Sequence, residues 1–156
     1  MDFSSLVGEF CAAVEAGDGV RLAGLFTEDG VYHDTFYGEF KGREAIRTML
    51  EERFHGDAER FLWNPRDMVS DGRIGYARWE FSYTSKMPGC AGRRVVVEGM
   101  SCFELEEGSI RHYSEKFDSG IALSQLDFAP ERLNKIFRRW AEAQNANPAL
   151  TGHVKG

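Results

Sequence analysis

The chain has 156 residues and a formal net charge of −6, with 42% hydrophobic and 28% charged residues. That length suits one domain around a single core, and that balance suits a folded chain rather than a disordered one. No basic run exceeds a pair such as Arg138-Arg139, and an acidic chain repels a phosphate backbone, so nucleic acid is not an expected partner.

No run of eighteen apolar residues is present, so no membrane span is expected. Asp2 stands where a secretory leader would carry positive charge, and the expected compartment is the cytoplasm. Cys11, Cys90 and Cys102 are odd in number and far apart. They match no zinc or redox spacing and read as idle thiols.

The first element is a helix over residues 2–16, striped by Phe3, Leu6, Val7, Phe10 and Val14. Gly17 stops it, and Asp18 can cap a second helix that buries Val20, Leu22, Ala23 and Phe26. Asp29-Gly30 reads as a turn, Val31 to Asp34 as a brief strand, and the aromatic stretch to Gly42 as a loop. A third helix starts at Arg43, with Ile46, Met49, Leu50 and Phe54 on one face.

The period then changes to two. Phe61 to Ser70 reads as a strand that Asn64-Pro65 must interrupt or place at an edge. Asp71-Gly72 signals a hairpin into Arg73 to Ser85, where Trp79, Phe81 and Tyr83 alternate with Arg78, Glu80 and Ser82. Val95 to Leu105 and Ser109 to Asp118 pair through Glu107-Gly108, and Pro130 opens a last helix with Leu133, Ile136, Phe137 and Trp140 on one side. The pattern predicts an α+β domain over residues 1–145, a curved antiparallel sheet wrapped around N-terminal helices, with an extra C-terminal helix and a loose tail over 146–156. Such a sheet curls into a cone whose mouth is a ligand cavity.

Phe10 to Asp18 (FCAAVEAGD), LAGLFTEDGVYHD, KGREAIRTMLE and EGMSCFELEEGSIRHYSEKFDSGIALSQL together resemble the nuclear transport factor 2-like superfamily, a cystatin-like α+β roll. The last of them is similar to the final hairpin of its SnoaL-like polyketide-cyclase branch. The likeness covers residues 3–126 and implies the fold. Ketosteroid isomerases carry a general-base aspartate that matches Asp34. Their oxyanion tyrosine and aspartate match Phe10 and Ser101, so both donors of that site differ. Epoxide hydrolases of the limonene type need an arginine and an aspartate where this chain has Gly99 and Ser101; only their second aspartate is matched, by Asp118. The SnoaL-like cyclases use an acid–base aspartate at the end of the last strand, and Asp118 in KFDSG holds that place. The resemblance therefore implies a cofactor-free cyclase, isomerase or dehydratase, with Asp118 and Asp34 as its proton carriers.

His33 and Asp34 are neighbours on a strand and so point to opposite faces, with Tyr32 and Asp34 inward and His33 outward. No histidine spacing matches a metal motif, and no metal or other cofactor is expected. Asp34 reads either as a general base in an apolar pocket or as the acceptor of an Asx-type turn before Thr35 and Phe36. Asp118 reads either as a proton carrier or as the cap of a short helix over Ser119 to Leu123. Trp63, Trp79, Phe81, Tyr83 and Phe103, with Tyr32, are expected to form the pocket wall or core around a small apolar ligand. A regular strand places His112 on the Asp118 face; one bulge reverses that. Glu98 and Glu115 read as solvated strand residues. Val96, Met100 and Cys102 fall on the far face of the sheet, where a second copy making a homodimer would cover them.

Overall fold

A computed structural model describes residues 1–156. Contacts divide the chain into Met1–Leu126 and Asp127–Gly156. The first unit opens with α1 (Phe3–Ala16) and α2 (Gly19–Gly24). Asp2 caps α1 by accepting from the Ser5 N–H at 2.8 Å, and Asp18 caps α2 by accepting from the Arg21 N–H at 2.9 Å. Each bond satisfies a backbone donor that a helix start otherwise leaves orphaned. Gly17 ends α1 at φ 68°, a left-handed position that glycine adopts without strain.

The six strands are β1 (Phe26–Asp34), β2 (Gly38–Lys41), β3 (Ala58–Ser70), β4 (Ile74–Ser85), β5 (Arg94–Glu106) and β6 (Ser109–Phe117). Their order in the sheet is β2-β1-β6-β5-β4-β3. The meander β3 to β6 is antiparallel as expected, but β1 and β6 run parallel, so the sheet is mixed. β1 is also longer than its apolar run. The residues around Asp29-Gly30 form an irregularity within the strand rather than a turn between elements, and Phe26 belongs to β1 rather than α2. The aromatic loop contains β2, which pairs His33 with Glu39 and Tyr32 with Phe40. β3 lies at the sheet edge, where Pro65 removes no ladder bond that an interior strand would need.

Between β2 and β3 the chain forms α3 (Arg43–Thr48), a π-helical turn (Met49–Phe54) and the single turn α4 (His55–Asp57). The core lies between α1, these helices and the inner face of the sheet. Phe10 is fully buried, stacked parallel to Tyr32 with centroids 5.8 Å apart and edge-on to Phe103 and Trp63 at 5.5 Å. Truncating an aromatic ring so placed removes about 3–5 kcal/mol.

The sheet's inner face also explains Gly99. A Cβ there would stand 2.5 Å from the Trp79 ring, so only glycine lets Trp79 lie flat across β5. After β6 the unit closes with α5 (Ser119–Ser124). The second unit holds α6 (Pro130–Asn145), a 3-10 turn (Pro148–Leu150) and α7 (Thr151–Val154). Residues 146–156 thus contain two short helical pieces where the sequence shows no periodicity. No helix is long and apolar enough to cross a membrane.

Candidate active site

A cavity of about 80 Å3 opens at one end of the inner face. Aromatic rings dominate its wall: Phe36, Phe54, Phe61, Trp63, Trp79 and Phe81 among them. Three carboxyl groups also line it: that of Asp57 accepts from the Tyr37 hydroxyl, and the other two are the strand residues Asp34 and Glu115. Strand alternation brings them in. On β1, Tyr32 and Asp34 are buried while His33 is exposed, and on β6, Tyr113 and Glu115 are buried while Ser114 and Lys116 turn away.

Asp34 Oδ1 accepts from the Phe36 and Tyr37 backbone N–H groups, both at 2.8 Å. Glu115 Oε1 accepts from the Thr35 N–H at 3.3 Å, and its Oε2 accepts from the Tyr113 hydroxyl at 2.8 Å. Because the single Tyr113 proton goes to Glu115, the Ser101 hydroxyl donates to Tyr113 at 2.8 Å. Ser101 in turn accepts from Trp79 Nε1 at 2.8 Å. The Tyr32 ring packs on Tyr113 as well, with centroids 4.5 Å apart. The result is a continuous buried chain from Trp79 through Ser101 and Tyr113 to the carboxyl pair.

Burial raises both carboxyls, since a charge loses its hydration in an apolar cavity. Glu115 is pushed up to about 8, by desolvation first and by the neighbouring Asp34 charge second. Asp34 is also raised by desolvation, but its two backbone N–H bonds and a hydrogen bond from Glu115 oppose the rise. The two carboxyls therefore titrate as an interacting pair, each favouring its neutral form through burial, with the Asp34 charge adding to the rise at Glu115. Tyr32 and Tyr113 are pushed well above the ordinary phenol value by burial and remain neutral donors.

One donor in the wall has no such partner. The indole Nε1 of Trp63 is buried without a hydrogen bond, although Trp63 itself lines the cavity. A buried N–H left in this way costs free energy.

The residues singled out from the sequence fall into two groups. Asp34, Tyr32, Trp63, Trp79, Phe81 and Tyr83 all lie at the cavity. Phe103 does not. It is packed behind the cavity against Phe3, Phe10 and Tyr113. Asp118 is exposed and caps α5, accepting from the Ile121 N–H at 3.0 Å. It borders a surface depression with Glu80, Val96 and Ile121, outside the aromatic wall. The helix that begins one residue later claims its carboxylate. His112 faces outward beside His33 and Glu39.

Glu115 is the residue that sequence reasoning missed, and the cause is local. Opposite Glu104-Leu105, β6 carries an extra residue at Arg111, since Glu104 pairs with His112 and Leu105 with Ile110. That bulge reverses which side chains face inward. Ile110 is buried before it; Tyr113 and Glu115 are buried after it. The available signal was the aromatic pair Tyr113 and Phe117 flanking Glu115 at the strand period.

The curled, unclosed sheet packed on helices, with an aromatic cavity at one end, defines the ketosteroid isomerase-like form of the α+β class. A family profile described as the SnoaL-like domain matches residues 7–113, and the chain belongs to that family. No curated protein matches the sequence. Among solved structures it is similar to a protein with a ketosteroid isomerase-like fold from Catenulispora acidiphila, in complex with trimethylamine. That pair is 20% identical with a TM-score of 0.70, over 80% of this chain and 97% of the other. TsrD from Streptomyces laurentii is 23% identical with a TM-score of 0.67, over 81% of this chain and 97% of its own. An LEH-like epoxide hydrolase from M. tuberculosis is 20% identical with a TM-score of 0.64, over 78% and 86%. At these identities the likeness is one of fold.

Proposed function

We propose that this protein is a cofactor-independent acid–base enzyme of the cyclase, isomerase or dehydratase type, acting on a small, largely apolar carbonyl compound. The observation that carries the reading is the pair Asp34 and Glu115, which stand together at the wall of one aromatic-lined cavity and are both raised by burial. Ionised carboxylates are seldom buried in such a place without a task, because the loss of hydration is expensive.

In the proposed step Asp34 takes the proton from the carbon next to the substrate carbonyl. The C–H electrons form the enol double bond, and the carbonyl oxygen receives the proton of Glu115. Return of the Asp34 proton to a different carbon, while the enol O–H proton goes back to Glu115 and the carbonyl re-forms, completes an isomerisation. In a cyclisation the enol carbon attacks a second carbonyl, whose oxygen takes the Asp34 proton while the enol O–H proton returns to Glu115. Trp63 Nε1 supplies a hydrogen bond to the developing oxygen charge, in a site that excludes water. Tyr113 holds Glu115 in place and, with Ser101, relays polarity from Trp79.

One observation favours a second reading, a binding module without turnover. The two N–H bonds to Asp34 are also those of the turn through Thr35 to Tyr37. A carboxyl-carbon NMR titration separates the readings, with Asp34→Asn and Glu115→Gln as assignment controls. It is paired with solvent deuterium uptake into a panel of cyclic ketones and β-ketoesters. The enzyme reading expects a carboxyl near 8 and uptake that falls about 10²–10⁴-fold in Asp34→Asn. A high-titrating pair with ketone binding but no uptake gives the binding module. If both groups titrate at or below about 4, neither reading of the pair stands.

A further inference from the structure

The outer face of the same strands carries a second cluster, independent of the cavity. We propose that His33, Glu39 and His112 form a binding site for a divalent transition-metal ion of the zinc class. Their ligand atoms all lie within 4.8 Å of one another. His33 Nδ1 stands 3.4 Å from Glu39 Oε1. A tetrahedral zinc with bonds of about 2.0–2.1 Å separates its ligands by about 3.4 Å. Two of the three donors are therefore already at coordination spacing, and the third needs a side-chain movement of little more than an ångström.

The backbone makes this arrangement rigid. His33 is registered opposite Glu39 across β1 and β2 and opposite Ser114 across β1 and β6. His112 is two residues before Ser114, so it lies diagonally from His33 on the same face. The bulge at Arg111 puts it there. Three adjacent strands thus each lend one ligand, and the spacing does not depend on a loop. Glu104, which is registered opposite His112, is taken up by Arg111, leaving no second carboxylate to replace Glu39.

The donor set selects the ion. Two imidazoles and one carboxylate suit zinc and its neighbours, whereas magnesium and calcium take oxygen ligands. All three side chains are solvent-accessible, His33 and Glu39 more so than His112. The fourth position of a zinc ion here is open to water, as in three-ligand sites generally. Bound metal would pin the short edge strand β2 to β1 and β6.

The test uses untagged full-length protein stripped with a chelator. Zinc is titrated calorimetrically at pH 7.5, and cobalt is followed by its visible absorption. The expected result is one equivalent bound in the micromolar range or tighter, with the intense visible band of tetrahedral cobalt. His33→Ala, Glu39→Ala and His112→Ala each weaken binding tenfold or more, while Cys102→Ser and His153→Ala leave it unchanged. Circular dichroism confirms that each variant is folded. Binding is weaker at pH 5.5, because a protonated imidazole cannot ligate. Absence of binding at millimolar zinc overturns the proposal. So does binding that survives His33→Ala and His112→Ala, or that disappears with Cys102→Ser or His153→Ala.

Discussion

The two faces of β1 and β6 put the same chemical groups to opposite uses. Inward, Asp34 and Glu115 lose their water among aromatic rings, and burial raises both above the ordinary carboxyl value. Outward, His33, one residue before Asp34 on β1, pairs with Glu39 of β2 in solvent. Side-chain type alone does not distinguish the faces, since a carboxylate stands on both. What differs is the dielectric around the group and the backbone donors it meets. A strand can therefore carry two unrelated sites at a spacing of a single residue.

The strongest way to break this contrast is through pH. Glu115 holds its proton more firmly folded than unfolded, its value moving from an ordinary 4.5 to about 8. Its contribution to stability is fully present below the unfolded value and is lost as pH rises through the folded one. The wild type is expected to lose on the order of 3 kcal/mol between pH 5 and pH 9, allowing for the share of the shift that Asp34 takes. In thermal unfolding that is roughly a 6–12 °C fall in midpoint, and Glu115→Gln should flatten it. An unchanged slope in the variant would mean that Glu115 is not the buried acid.

A smaller effect sharpens the packing side of the comparison. Gly99→Ala forces a methyl group against the Trp79 ring, and overpacking of this kind removes about 1–3 kcal/mol in denaturant unfolding. The same change should shift the fluorescence of the inner face, because Trp79 also touches Trp63 and Phe117. The smallest effect belongs outside. Without added metal, His33→Ala should change stability by no more than about 0.5 kcal/mol, the usual range for an exposed substitution. A loss of several kcal/mol would show that the outer cluster is structural in its own right.

Much of this was legible in the amino-acid order. The stripe from Phe3 to Val14, the alternation of Trp79, Phe81 and Tyr83, and the hairpin at Asp71-Gly72 each report a local period, and each became the expected element. Asp34 was legible because Tyr32 fixes the parity of its strand. The parallel pairing of β1 with β6 was not, since no local pattern encodes which distant strand is the neighbour. Nor was the burial of Glu115 at the cavity while Asp118 stays exposed. Asp118 stands at a strand end, where a helix cap and a catalytic acid look alike, and a single bulge at Arg111 decided which carboxylate faced inward. Features set by one-residue irregularities escape any reading that assumes a constant period.

The π-helical turn over Met49–Phe54 has a consequence for how this cavity arose. Wide turns of this kind amount to one residue more than an α-helix would use over the same path, and they gather at functional positions. Phe54, the last residue of that turn, stands edge-on to Tyr32 at the cavity wall. Loss of one residue from the turn would return it to ordinary α-helix along the same path, so the elements on either side would keep their faces while the side chains inside the turn change places. Chain length, as much as side-chain identity, sets the lining of the cavity at this point.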